Sequence, residues 1–270
     1  MVLQAQEGRL TTPRARILVA TAVPAERDAV ARAFTEPVQQ VRLPGVTLHR
    51  PDADRTGPDR TDRTDRTDAD RRDAAFDLLA AGVGPALAAA SVSAALTAAS
   101  LHGSPYTVVV STGIAGGFAP AAPVGSLVLA DEITAADLGA ETADGFLPVT
   151  ELGFGAVTHR PPASLVRESA AATGALTGVV LTVSTVTGTA VRAAALRERH
   201  PRALAEAMEG FGVAEAAAAH GVPVLELRAV SNPVGPRDRA AWRIAEALAA
   251  LTEGFGKLAP VLESWNRHDQ

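Results

Sequence analysis

The sequence predicts an α/β fold, a single three-layer αβα domain with a mostly parallel or mixed sheet between helices. Three observations predict it. Apolar runs of strand length alternate with alanine-rich stretches of helical length. After residue 75 these runs succeed one another without a linker. Finally, 270 residues with 47% apolar content are enough for one large core. The expected domain spans 16–265, behind a loose tail at 1–15.

The elements follow in order. Arg16 to Val23 is an apolar run read as a buried strand, and Pro24 opens a helix that carries Ala25 to Phe34. Residues 50–73 hold eight Asp, seven Arg and no large apolar side chain, in a repeating Asp-Arg-Thr pattern. With nothing to bury, this insert is expected to be a solvated loop. Ala75 to Gly82 reads as a strand, Gly84 to Ser100 as an alanine-rich helix, and Tyr106 to Thr112 as a β-branched, fully buried strand. Ser126 to Ala130 and Gly178 to Thr185 read as strands, with loops and short strands over 135–162. Pro201 to His220 reads as a helix and Val222 to Val230 as a strand. A long helix from Arg237 to Ser264, interrupted near Gly254 or Gly256, is expected to close the chain.

Composition narrows the function. A net charge of −5 and 4% aromatics, with no basic run among aromatics, argue against a nucleic-acid partner. There is no cysteine, which removes disulfides, thiolate nucleophiles and cysteine-held metals. The six histidines do not pair with one another or with carboxylates at ligand spacing, so no metal site is expected. No apolar N-terminal core resembles a secretory signal, and no helical stretch stays apolar for a bilayer's ~20 residues. A cytoplasmic protein without a membrane partner is the expectation.

In sheets of this class, ligands sit beyond the carboxyl ends of strands. Glu26 stands in the first turn after the first strand, where a carboxylate suits the helix dipole even without a chemical task. Gly113, Ile114, Ala115, Gly116 and Gly117 follow a buried strand, and such a run lets a ligand approach the backbone closely, or simply makes a tight turn. It matches neither the dinucleotide nor the P-loop pattern. Val186 and Thr187 follow the strand at 178–185. At helical spacing Glu209 has only small apolar neighbours besides Glu206, which can pair with Arg202. Glu209 is therefore expected to lack a basic partner on its own face, and burying it unpaired is expensive. Ser231 and Asn232 end an apolar strand, and Asn carries both a donor and an acceptor for the edge of a base.

Taken in order, Ala25-Glu26, TGIAGG (112–117), Val124 to Val128, Ala207-Met208-Glu209 and Arg228 to Asn232 resemble the nucleoside phosphorylase/nucleosidase superfamily. Methylthioadenosine/S-adenosylhomocysteine nucleosidases are its best-known comparable members, and the likeness covers roughly residues 16–260. The resemblance implies a partly barrel-like mixed sheet. It implies that Met208 and Glu209 hold the ribose, Glu209 taking the 2′- and 3′-hydroxyls, and that Glu26 activates the attacking water. It implies no cofactor, a small nucleoside as the only substrate partner, and a homo-oligomer (a dimer or larger) that borrows a side chain at the 5′ pocket. Two departures stand out. Asn232 occupies the place of the aspartate that protonates the leaving adenine, and Ile114 replaces a serine in the glycine-rich segment. Asn donates to a 6-oxo group and accepts from N7–H, which suits hypoxanthine. The pattern is thereby similar to the futalosine hydrolase family, which splits futalosine into hypoxanthine and dehypoxanthine futalosine in the alternative menaquinone pathway. Contacts from Gly113, Ile114, Ala115, Gly116, Val186, Thr187 and Ser231 to the base or its loop are implied as well. The 5′ carboxyphenyl group calls for an apolar slot with a cationic or polar contact, for which Phe118, Phe146, Phe154, His159 and Arg160 lie in suitable loops.

Three rivals remain. A phosphorylase needs arginine near the glycine-rich segment, and none lies between His102 and His159. An adenine-specific nucleosidase needs a proton donor where Asn232 stands. A non-catalytic nucleoside-binding module has no use for the carboxylate of Glu26.

Overall fold

A computed structural model describes residues 15–51 and 74–265. The first strand, β1 (Ala15–Thr21), alternates between two cores: Leu18 and Ala20 face one, Ile17 and Val19 the other. Period-two burial on both faces is what a central strand between two helix layers requires. Pro24 then opens α1 (Pro24–Ala31) at its first turn, where its missing N–H costs nothing. A hairpin follows, β2 (Val38–Leu43) and β3 (Val46–Pro51), then β4 (Ala74–Ala80) parallel to β1. Arg50 and Pro51 thus belong to β3, while 52–73 of the insert and 1–14 of the expected tail lie outside the described residues.

Next come α2 (Pro85–Leu101), β5 (Val108–Gly117), β6 (Leu127–Ala135), the small hairpin β7 (Gly139–Thr142) and β8 (Gly145–Pro148), and β9 (Thr158–His159). The rest runs α3 (Ala163–Thr173), β10 (Leu176–Thr182), α4 (Ala190–Arg199), β11 (Ala203–Ala207), α5 (Gly210–Ala219), β12 (Val224–Pro233) and α6 (Ile244–Ser264). The main sheet is mixed, in the order β11-β10-β6-β12-β5-β1-β4-β3-β2. Antiparallel pairing of β11 with β5 closes the first five strands into a barrel-like ring. Helices α2 and α5 cover one face, and α1, α3 and α6 the other, so the layers expected from sequence are present.

Three expectations need correction. The stretch 201–220 is not one helix: Ala203 to Ala207 form β11, and the helix begins only at Gly210. Alanine favours helix by well under 1 kcal/mol per residue, and ring closure against the side-chain-free Gly116 and Gly117 outweighs that preference. The segment 113–117 is not a loop after a strand but the last half of β5, paired to β12 along its length and to β11 at Gly116 and Gly117. The final helix starts at Ile244 rather than Arg237, after a 3₁₀ turn at Arg239–Ala241. It is continuous through Gly254 and Gly256, and Gly254 lets it lie against Leu127.

Candidate active site

The ends of β5, β11 and β12, the start of α1 and the turn before α2 converge on one cleft of about 220 Å³. Glu26, Ile114, Ala115, Gly116, Val186, Thr187, Met208, Glu209, Ser231 and Asn232 all line it. Gly113, the remaining residue singled out from sequence, lies directly beneath. A Cβ there would stand 2.6 Å from Glu26 Oε1 and 3.0 Å from Arg228 Nη1, at a φ of +153° that side chains avoid. Its bare backbone is what lets two charged groups meet under the cleft.

Glu26 is 4% exposed and held by three backbone donors. Its Oε2 accepts from Ala22 N at 3.0 Å and Val23 N at 3.3 Å, and its Oε1 accepts from Ile114 N at 2.9 Å. One carboxylate thus caps α1 and ties it to the glycine-rich strand. Burial raises the Glu26 carboxyl above its ordinary value, against the lowering pull of Arg228 and the backbone donors. Such a carboxylate is a better proton acceptor than an exposed one.

Glu209 is the residue before α5, not a residue on a helix face. Its Oε1 accepts from Gly84 N at 3.1 Å, and its Oε2 faces Arg228 Nη1 at 3.6 Å. The basic partner missing from its own helix is therefore supplied by β12. Likewise Glu206 does not pair with Arg202, which bonds Asp131. It is buried on β11 and accepts from Thr187 N at 2.8 Å and Thr187 Oγ1 at 2.5 Å. Burial raises its carboxyl, partly offset by those two donors.

Arg228 is the group that sequence reasoning left without a role. It is 1% exposed, its Nε donates to Glu226 at 2.8 Å, and its Nη2 donates to Ser111 at 3.0 Å. Register explains the arrangement: Glu226 stands opposite Ser111, and Arg228 opposite Gly113. Burial works to lower the arginine, but Glu226, Glu209 and Glu26 outweigh it and hold the guanidinium firmly charged. Burial also pushes the Glu226 carboxyl up, with Arg228 opposing. A legible signal existed, since Glu226 and Arg228 are two charges at period two inside the otherwise apolar VPVLELRAV. Val83, Arg237 and Trp242 also line the cleft and were not foreseen.

Asn232 pairs in register with Gly116. Its Oδ1 accepts from Ser231 Oγ at 2.8 Å and its Nδ2 donates to the Pro233 carbonyl at 3.0 Å. One amide hydrogen and one carbonyl lone pair stay available to a ligand. The loop residues considered for the 5′ side do not line this cleft. Phe118 is core, Phe146 stacks under Arg199, and Phe154 is exposed. His159 bonds Glu215, and Arg160 bonds Glu132.

The model of the phosphorylase superfamily matches residues 78–263. A futalosine hydrolase of Streptomyces coelicolor is 72% identical over 94% of this chain and 99% of its own length. The chain belongs to the futalosine hydrolase family. A second member, from Acidothermus cellulolyticus, is 45% identical over 70% of this chain and 77% of its own. Among solved structures, a 5′-methylthioadenosine/S-adenosylhomocysteine nucleosidase of Colwellia psychrerythraea, in complex with adenine, superposes with a TM-score of 0.72. It is 19% identical and covers 94% of this chain and 97% of its own, so it shares the fold with this futalosine hydrolase family member. Among the described residues no helix is long and apolar enough to cross a membrane, and no cluster of metal-ligating side chains occurs.

Proposed function

We propose that this chain hydrolyses the N-ribosidic bond of futalosine, releasing hypoxanthine and dehypoxanthine futalosine, as a cytoplasmic step of menaquinone biosynthesis. The observation that carries the reading is a single cleft lined by Glu26, Glu209 and Asn232, in a chain 72% identical to a futalosine hydrolase. The reaction needs no cofactor. N-glycoside cleavage passes through an oxocarbenium-like ribose, as O-glycoside cleavage does. Glu209 keeps lone pairs beyond those facing Gly84 and Arg228 for the 2′- and 3′-hydroxyls, and its charge favours the cationic ribose. Met208, the residue before it, lines the same cleft. Glu26 orients a water at C1′ and takes its proton as the C1′–N9 bond breaks and the bonding electrons pass into the purine. Asn232 receives the departing base, its spare N–H on the 6-oxo group, and its spare lone pair holds the N7–H that forms when the purine anion takes a proton from solvent. Gly113, Ile114, Ala115, Gly116, Val186, Thr187 and Ser231 shape the base and ribose walls.

An arginine does reach the glycine-rich strand, although none is near it in sequence. Arg228 is committed to Glu226, Ser111 and Glu209 and is sealed from solvent, which leaves it no open face for phosphate. The catalytic unit is one domain over 16–265, acting in a homo-oligomer that completes the 5′ end of the cleft. The test is hypoxanthine release from futalosine in phosphate-free buffer, with methylthioadenosine as control. Hypoxanthine from futalosine alone is the expected result. Adenine from methylthioadenosine refutes the role of Asn232, and a strict phosphate requirement refutes hydrolysis.

A further inference from the structure

The cleft is acidic within and carries one exposed cation. Glu26, Glu206 and Glu209 line it, and among the described residues that line it Arg237 is the one basic group. Arg237 lies in the segment that leaves β12 at Pro233 and returns to start α6 at Ile244. That segment is pinned at both ends. Val234 N donates to the Gly117 carbonyl at 2.8 Å, Arg243 N donates to the Ser231 carbonyl at 2.8 Å, and between them Asp238 Oδ1 accepts from Ala240 N at 3.1 Å. The Arg237 guanidinium carbon stands 5.5 Å from the centre of the Trp242 ring. Its stem passes over Gly188, where a Cβ would lie 3.7 Å from Arg237 Cδ. Arg239 flanks the same indole at 6.0 Å but does not line the cleft. Arg237 is exposed and has no carboxylate partner among the described residues.

A guanidinium attracted to an aromatic ring is held in place and still keeps its N–H donors for another partner. Its planar fork matches a carboxylate, which it grips by two parallel hydrogen bonds. Resting on the futalosine reading above, we propose that Arg237 is the specificity residue that binds the carboxylate of the substrate's 5′ carboxyphenyl group. Val83, Val186 and Trp242 line the same cleft and supply the apolar walls for the phenyl ring. Val83 and Val186 are 55% and 41% exposed, and an apolar ligand group would cover them. The charges run in the matching order. The substrate is anionic at its 5′ end and turns cationic at the ribose, while the cleft sets Glu209 and Glu26 at the ribose and Arg237 apart from them on the outer segment. An anionic nucleoside approaching a chain of net charge −5 has this cation to draw it in. The cationic contact expected from the loops at 118–160 comes instead from the segment after Asn232.

The test uses the full-length protein and two probes, futalosine and its carboxyl methyl ester, in steady-state assays of hypoxanthine release. In wild type, kcat/KM should favour futalosine over the ester. Arg237→Gln should cut that preference by about 10-fold, through a higher KM for futalosine. Arg237→Lys keeps the charge but not the fork, and should restore part of the preference. A preference that Arg237→Gln leaves unchanged overturns the proposal. So does a parallel loss on both probes, which would mean that Arg237 only shapes its loop. A second reading needs no variant. Added NaCl should raise the wild-type KM for futalosine and leave that for the uncharged ester nearly constant, and equal salt responses refute the ion pair. Wild type that cleaves futalosine with a preference indifferent to Arg237 refutes only this inference. Wild type that leaves futalosine intact refutes the underlying activity, and this inference with it.

Discussion

Replacing Arg228 with methionine keeps most of the buried stem and deletes the guanidinium. That removes the 2.8 Å bond to Glu226, the 3.0 Å bond to Ser111 and the 3.6 Å ion pair to Glu209. Arg228 and Glu226 are 1% and 0% exposed, so water cannot replace what is lost. Breaking a buried pair from one side costs about 3–5 kcal/mol. At roughly 2–4 °C per kcal/mol for a domain of this size, Tm should fall by about 6–20 °C at neutral pH. The pH dependence supplies the sharper check. Glu26 and Glu226 already have carboxyls raised by burial, and Arg228 holds both down. Without it both rise further, so the folded variant binds protons more tightly than the unfolded chain. Its stability should then drop as pH rises from the ordinary carboxylate range through the raised values, and recover towards acid. Thermal unfolding by circular dichroism at several pH values measures this. A loss under about 1 kcal/mol, or one independent of pH, would show that the carboxylates do not depend on this cation.

Three further outcomes follow from the same geometry. Glu26→Ala should lower kcat for nucleoside hydrolysis by about 10²- to 10⁴-fold and leave hypoxanthine affinity in place, as steady-state kinetics and calorimetry would show. Gly113→Ala puts a methyl 2.6 Å from Glu26 Oε1 at an unfavourable φ, so kcat should fall and stability drop by about 1–3 kcal/mol, read by assay and urea titration. Tyr106→Phe removes the 2.6 Å bond to buried Asp77, costing about 1.5–3 kcal/mol while leaving kcat unchanged. Burial works to raise Asp77, but Arg50, Tyr106 and Arg16 outweigh it and hold its carboxyl low. Its contribution is present above the unfolded value and lost as pH falls through the folded one, so the gap between wild type and Tyr106→Phe should shrink in strong acid.

Much of this fold was legible because its strands announce themselves. RILVAT, YTVVVST and VPVLELRAV are too apolar for anything but central strands, and the structure uses them as β1, β5 and β12. What stayed hidden depends on partners far away in the chain. β11 reads as helix because ALAEA has no strand preference of its own. It becomes a strand because β10 and the glycines of β5 offer it hydrogen bonds on both sides. For the same reason Glu206 and Glu209 were placed on one helix, where Arg202 seemed the natural partner of the first and nothing the partner of the second. Once residue 207 ends a strand, Glu206 turns to Thr187 and Glu209 to Arg228 and Gly84. The carboxylates were found by residue type and order; their partners needed the register of the ring.

That register also bears on why water, not phosphate, suits this cleft. The even-numbered positions of β12 and the odd-numbered positions of β5 face the α2/α5 core, and there they gather Glu226, Arg228, Ser111 and the bare Gly113. Glu26 arrives from α1 and Glu209 from the start of α5. Three carboxyl groups thus surround one guanidinium, an excess of acidic over basic groups at the floor of the cleft. A field of that sign lowers the energy of a cationic ribose and raises that of an entering dianion, in a place where the protein interior weakens either effect little. A neutral water has no such charge to oppose. Arg228 is best understood as the counter-charge that opposes the upward push of burial on Glu26 and Glu226, rather than as a hand for a phosphate.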